Sequence, residues 1–194
     1  MKKIKMNPQT TLCPTPVSLR ENYILPFNMK TEKNIVIIQG YNGRWSHKKN
    51  KAVFPLEPEK EHYHDDRFSL DFKLPLGAEV LASKAGVVGG FNDGIDAYYD
   101  GLNSKEGIKT YSNLILLRHQ DKSFTIYSHL QKNSIKVKVG ERVAQGQVIA
   151  LTGKSGWIGP IPHLHFETII YEKTLRKSFP IRFNNYPEWL ENKN

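Results

Sequence analysis

The apolar residues of this chain come in short runs, and none of them keeps a helical period. Segments 34–38 (NIVII), 68–74 (FSLDFKL), 79–83 (EVLAS), 86–91 (GVVGGF), 113–118 (NLILLR), 123–129 (SFTIYSH), 147–152 (QVIALT) and 164–170 (LHFETII) are all of strand length. They are rich in β-branched and aromatic residues and are bounded by Gly, Pro, Asn, Asp or a charge. The best helix candidate is a short C-terminal piece around Glu188 to Glu191. The expected fold is therefore mainly β, a compact antiparallel β-sheet domain with long loops lining a groove and few short helices.

With 194 residues and 39% hydrophobic content, the chain can bury one substantial core. Its longest clean apolar stretch, Ile35-Val36-Ile37-Ile38, is far shorter than a membrane-spanning helix, so no membrane span and a soluble chain are expected. Residues 1–22, with three prolines and little periodicity, read as an N-terminal extension; 23–183 form the domain and 184–194 a tail. Two stretches, 47–66 and 92–110, read as long loops of the kind that wall a binding cleft. Lysines open the chain, but no apolar segment of a secretory leader follows them. Cys13 is the only cysteine, which excludes an intramolecular disulfide and any multi-thiolate zinc site. The net charge of +9 favours approach to a polyanion. The basic residues are nonetheless spread along the chain, with no basic helix and no aromatic RNA-binding motif, so nucleic acid is not expected as a partner.

Chemistry concentrates near the C-terminus. In IPHLHFETII a His-x-His pair on a strand sends the imidazoles of His163 and His165 to one face, an arrangement that suits zinc but also fits two ordinary strand histidines. A hydrolytic zinc site takes three protein ligands and leaves a position for water, so a carboxylate and another histidine are needed. Asp71 lies in the otherwise apolar FSLDFKL, where an unpaired carboxylate would be costly; a metal, a salt bridge or an edge-strand turn would each account for it. His129 closes TIYSH and, with His163, could hydrogen-bond an attacking water and stabilise an oxyanion. Period two places Glu167 on the face of His163 and His165, where it could orient an imidazole. His119, at a hairpin turn, is expected to be solvated. The aromatics Trp45, Tyr98, Tyr99, Tyr111 and Trp157 fall in or beside the loops and could line a groove.

Taken in order, these motifs resemble the lysostaphin-type (LytM-like) zinc endopeptidases, a family that cuts bacterial peptidoglycan. FSLDFKLPLGAEVLASKAGVV resembles its Asp segment and the Pro-x-Gly strand that follows, and NLILLRHQDKSFTIYSHL its Asn, hairpin and Tyr-x-His-Leu. VKVGERVAQGQVIALTGKSGWIGPIPHLHFE resembles its Gly-rich stretch and His-Leu-His-Phe-Glu close. The resemblance runs over roughly residues 23 to 183. It implies one Zn2+ per chain, Asp71 and His165 as ligands, His129 and His163 as catalytic histidines, and a groove including Tyr111, Asn113 and Trp157. The usual first motif is His-x-x-x-Asp, but Arg67 stands four residues before Asp71. QGYNGRWSH resembles a branch in which the first ligand comes earlier, making it His47; His62 and His64 lie nearer to Asp71 and remain alternatives. What the resemblance implies is a monomeric, extracytoplasmic zinc metalloendopeptidase acting on peptidoglycan stem peptides or cross-bridges. The alternative is a catalytically degenerate relative that binds cell wall or regulates a hydrolase.

Overall fold

The computed structural model describes residues 5–6, 20–32, 35–41, 47, 49–52, 62–99, 111–172 and 175–186. Every element among them is a strand. In chain order the strands are β1 (Lys5–Met6), β2 (Arg20–Tyr23), β3 (Val36–Gln39), β4 (Lys49–Ala52), β5 (His62–Asp65), β6 (Leu70–Lys73), β7 (Glu79–Leu81), β8 (Gly86–Asn92) and β9 (Tyr98–Tyr99). There follow β10 (Leu114–Arg118), β11 (Phe124–Ser128), β12 (Arg142–Val143), β13 (Val148–Leu151), β14 (Gly156–Trp157), β15 (His163–Glu172), β16 (Leu175–Ser178) and β17 (Ile181–Phe183). One large sheet runs β1-β3-β6-β15-β11-β10-β8-β12, and β16 pairs with both β15 and β5. β4 completes that edge by pairing with β5, while β7 pairs with β13, β9 with β14 and β2 with β17.

The ten-residue β15 is the spine of this sheet. Along it, Leu164, Phe166 and Thr168 face one way, whereas His163, His165 and Glu167 face the other. Leu164 and Phe166 enter the core with Phe72, Tyr127 and Phe183. The Tyr127 and Phe166 rings meet edge to face at 5.4 Å, and Phe72 and Phe183 do so at 6.1 Å. Rings of this size, wholly removed from water, each contribute about 2–3 kcal/mol. The register therefore cannot slip by one residue, because that shift would turn Leu164 and Phe166 out of the core and the histidines into it.

Strand positions follow the sequence expectation, with differences in the loops. The stretch expected as a loop over 47–66 contains the antiparallel pair β4 and β5, which a parallel pairing with β16 joins to the large sheet. Within 92–110, Tyr98 and Tyr99 pair in parallel with Gly156 and Trp157. The N-terminal extension contributes β1, alongside β3, and β2, alongside β17. The expected helix around Glu188 to Glu191 and the aromatic Trp45 lie outside the described residues.

His119 is a correction. It is 4% exposed rather than solvated. Its Nδ1–H donates to the Ala85 carbonyl at 2.8 Å, and its Nε2 shares a hydrogen bond with the Thr125 hydroxyl at 3.0 Å. The turn proper starts one residue later, so the polar neighbours Gln120 to Lys122 carry the solvent-facing positions. Burial pushes the His119 imidazole below its usual value of 6.5. The folded form therefore keeps it neutral while the unfolded chain takes up a proton below about pH 6.5. Stability should fall as pH drops from 6.5 towards the depressed value, and His119→Gln should flatten that part of a pH series of denaturation curves.

Gly153 ties the hairpin to the loop beyond it. Its N–H donates to the His129 carbonyl at 2.9 Å, beside the Leu130–Thr152 bridge. A Cβ at this position would lie 2.4 Å from the Gln131 nitrogen and 2.6 Å from the Leu130 carbonyl carbon, both backbone atoms that cannot swing aside. Gly153→Ala should cost about 1–3 kcal/mol in urea unfolding. A wild-type midpoint for this variant would show that the approach is not obligatory.

Candidate metal centre

The pairing of three strands assembles the site. Asp71 of β6 lies opposite His165 of β15, which lies opposite Ser128 of β11, so the three share one face. His163 stands two residues before His165 on that face. His129 follows Ser128 with φ of 63°, a left-handed backbone that a non-glycine residue adopts only when its surroundings enforce it. The kink turns the imidazole out of the strand's alternation and brings its centroid to 4.8 Å from that of His163 and 6.1 Å from that of His165.

Asp71 is 2% exposed and at the centre. Its Oδ1 accepts from His165 Nδ1–H at 2.9 Å, and its Oδ2 lies 3.5 Å from His47 Nε2 and 3.6 Å from His163 Nε2. Burial alone would raise the carboxyl's pKa, but the three imidazoles hold it well below the usual carboxylate range. Burial likewise opposes charge on His165, yet the carboxylates of Asp71 and Glu167 hold it up at about 10. His47 is pushed down, chiefly by burial, and His129 falls to about 3 through burial and the neighbouring His163 and His165.

Two of the histidines are fixed by the backbone. His129 Nδ1–H donates to the Ser155 carbonyl at 2.8 Å, and His163 Nδ1–H to the Ile161 carbonyl at 2.8 Å. Each ring therefore turns its Nε2 inward. Glu167 shares this face as period two requires, with Oε2 4.0 Å from His165 Nε2. Arg176 of β16 reaches Glu167 from the other side and also bonds Asp66 at 2.9 Å. Burial, then the like charge of Glu167, pushes Asp66 up to about 6.

His47, Asp71 and His165 offer ligand atoms that all lie within 4.8 Å of one another. The donor set, two imidazoles and a carboxylate, is one zinc accepts. His47 turns its Nε2 towards the cluster, 3.5 Å from Asp71 Oδ2, and no described residue hydrogen-bonds its other, buried nitrogen. The residues present therefore fit a divalent cation. Arg67 takes no part in the cluster; its guanidinium sits 5.8 Å from the Phe68 ring centroid. His62 and His64 lie on β5, and their side chains are outside the described residues.

Of the expected groove residues, Trp157 is half exposed and packs edge to face on Tyr99 at 4.7 Å. Tyr111 is partly buried, with its carbonyl 2.7 Å from where a Cβ on Gly156 would be. Asn113 is a correction: its side chain does not face the groove. It is wholly buried, accepts from Ile95 N–H and donates to the Ile95 and Leu130 carbonyls, all at 2.8–3.1 Å. It staples the loop after β8 to the end of β11. The Ser155 hydroxyl bonds Leu130 and Asn113 in the same knot. Sequence reasoning missed Ser155, Arg176 and Asp66. Only the Ser-Gly turn in KSGW hinted at the first, and nothing local marked the others.

Arg176 is 5% exposed and Glu167 1%. Arg176→Met would strand the Glu167 carboxylate and should cost about 3–5 kcal/mol in chemical denaturation, with partial recovery in Arg176→Met/Glu167→Gln. Wild-type stability for the single variant would show that the pair is dispensable.

The chain is similar to several known proteins. Peptidase family M23 matches residues 66–177. An uncharacterized metalloprotease of Buchnera aphidicola is 32% identical over 106 residues, 55% of this chain and 24% of that protein. The peptidoglycan DD-endopeptidase ShyC of Vibrio cholerae is 34% identical over 100 residues, 52% of this chain and 19% of that protein. The chain thus spans less than a third of the length of these relatives. Among solved structures, a zinc-containing peptidase from Vibrio cholerae superposes with a TM-score of 0.50 and 25% identity, covering 81% of this chain and 39% of that one.

Proposed function

The chain belongs to peptidase family M23, and from that premise we propose that it is a zinc metalloendopeptidase hydrolysing peptide bonds of bacterial peptidoglycan outside the cytoplasm. The observation that carries this reading is the convergence of His47, Asp71 and His165 beside the His129–His163 pair. A family relative named as a peptidoglycan DD-endopeptidase supports the substrate class.

His47, Asp71 and His165 would hold the ion. Zinc bound there supplies Lewis-acid polarisation of a carbonyl and acidifies water towards a pKa of about 7. His129 and His163 do the rest. With Nδ1 of each anchored on a backbone carbonyl, both Nε2 atoms face the reacting centre, able to orient a water, carry its proton and hydrogen-bond the developing oxyanion. Glu167, held by Arg176, limits rotation of the His165 ring. The exposed indole of Trp157, on the strand pair that follows Ser155, provides a wall for an extended peptide.

The test combines metal content with hydrolysis of purified peptidoglycan. Wild type should carry one zinc per chain and cut; His47→Ala and His165→Ala should lose both. His129→Ala and His163→Ala should keep the zinc and lose about 10²–10⁴ in rate. Zinc-free, inactive wild type would overturn this reading in favour of a degenerate binding module. Zinc lost from His64→Ala or His62→Ala, but kept in His47→Ala, would reassign the first ligand.

A further inference from the structure

The face of the sheet that carries the metal centre continues to the opposite end of the same strands, where it forms a basic groove of about 930 Å³. Register defines its position. His165 pairs with Ser128 and Ile169 with Phe124, so Phe124 is four residues along the sheet from the metal centre, and Tyr171 is six from His165. At ~3.4 Å per residue this puts the groove roughly 14–20 Å from the centre. Arg118 pairs with Phe124 and with Val87, and Val87 pairs with Arg142. Directly paired residues share a face, so both guanidinium side chains leave the sheet on one side, two strand spacings or roughly 10 Å apart at the backbone.

Among the described residues, no carboxylate lines this groove. Its charged residues are Arg118, Lys122 and Arg142, all exposed, and none of the three has an acidic partner among the described residues. Asp121, next to Lys122 in the chain, has its carboxylate bonded to Lys84 at 2.7 Å and to Ser123, and Glu141, next to Arg142, accepts from the Lys138 N–H at 2.9 Å. The floor is aromatic: Phe124 and Tyr171 meet edge to face at 5.5 Å, and Tyr171 is 45% exposed.

We propose that this groove is a second binding site that takes an anionic glycan, a saccharide chain bearing phosphate or carboxylate groups. Two separated guanidinium groups and an ammonium match oxyanions repeated along a chain, since Arg receives phosphate and carboxylate in the same bidentate way. The tyrosine ring offers an apolar surface to the C–H face of a sugar, with its hydroxyl at the rim. A bilayer surface is flat and does not enter a concave groove. Single-stranded nucleic acid calls for successive aromatic platforms, whereas here one ring is substantially exposed. A polymer held at this end of β15 would raise the local concentration of attached peptides at the other.

The experiment reads binding rather than hydrolysis, so it can fail or succeed separately from the zinc reading. The full chain is titrated at low salt with a phosphomannan, with oligogalacturonate, and with neutral dextran, oligo(dT) and vesicles of anionic lipid as comparators. One or both charged glycans should bind, and which of them binds identifies the charged group. Affinity should fall with added salt, should be unchanged by a chelator, and should weaken at least about tenfold in Arg118→Gln/Arg142→Gln. Tyr171→Ala and the turn variant Lys122→Gln, checked for an unaltered melting temperature, should each weaken it less. Equal binding of dextran, undiminished binding in the double variant, or tighter capture of oligo(dT) or of the vesicles would overturn the proposal.

Discussion

A carboxylate wholly inside a hydrophobic strand has to be matched by positive charge, and much of this site follows from that demand. Asp71 sits between Leu70 and Phe72, both buried in the core, with its own side chain on the opposite face. Three imidazoles surround it, and the register of β6 with β15 brings His165 directly opposite. A slip of one residue would bury the acid against hydrocarbon at a cost of several kcal/mol. The same alternation that packs Leu164 and Phe166 therefore also fixes the polar centre, and folding and site assembly are one event on β15.

Polar pairing extends outward from Asp71. His165 lies between the carboxylates of Asp71 and Glu167, Glu167 is met by Arg176, and Arg176 by Asp66. Glu167 and Arg176 are nearly dry and depend on their neighbours; a chain of this kind is stiff because no member can move alone. Stiffness is what a ligand set needs if an imidazole is to hold its orientation without help from solvent. The left-handed backbone at His129 is the local strain this arrangement carries, held by the Ser155 carbonyl on one side and Gly153 on the other.

Much of this was legible in the sequence because period two is a strict rule. It put His163, His165 and Glu167 on one face, and it made Asp71 anomalous among apolar neighbours. Where the rule has nothing to act on, reading failed. β4 and β5, with sequences KNKA and HYHD, show no apolar alternation, and as the sheet's outermost pair they need none to be recruited; a loop was the natural reading. His119 was misjudged because its neighbours are polar, although its own burial comes from contacts with Ala85 and Thr125 that are distant or cross-strand. Arg176 looked like any basic residue near the C-terminus, since its partners at 66 and 167 meet it only through the sheet. The expectation for Asn113 went astray for a related reason: an amide beside a groove reads as a ligand contact, whereas its four hydrogen-bonding positions are largely taken by backbone.

The length of β15 is the remaining consequence. A strand of ten residues is long for a compact domain, and four or five would suffice to present His163 and His165 opposite Asp71. The additional residues carry Ile169 and Tyr171 past the end of β6, keep β11 paired as far as Phe124 and give β16 an edge to dock on, which in turn delivers Arg176 to Glu167. One strand thus couples three regions: the metal-fitting cluster at its start, the buried ion chain at its middle and the aromatic, basic groove at its end. A rigid element shared in this way fixes the distance between whatever is held at one end and whatever reacts at the other, as two separately mobile loops could not.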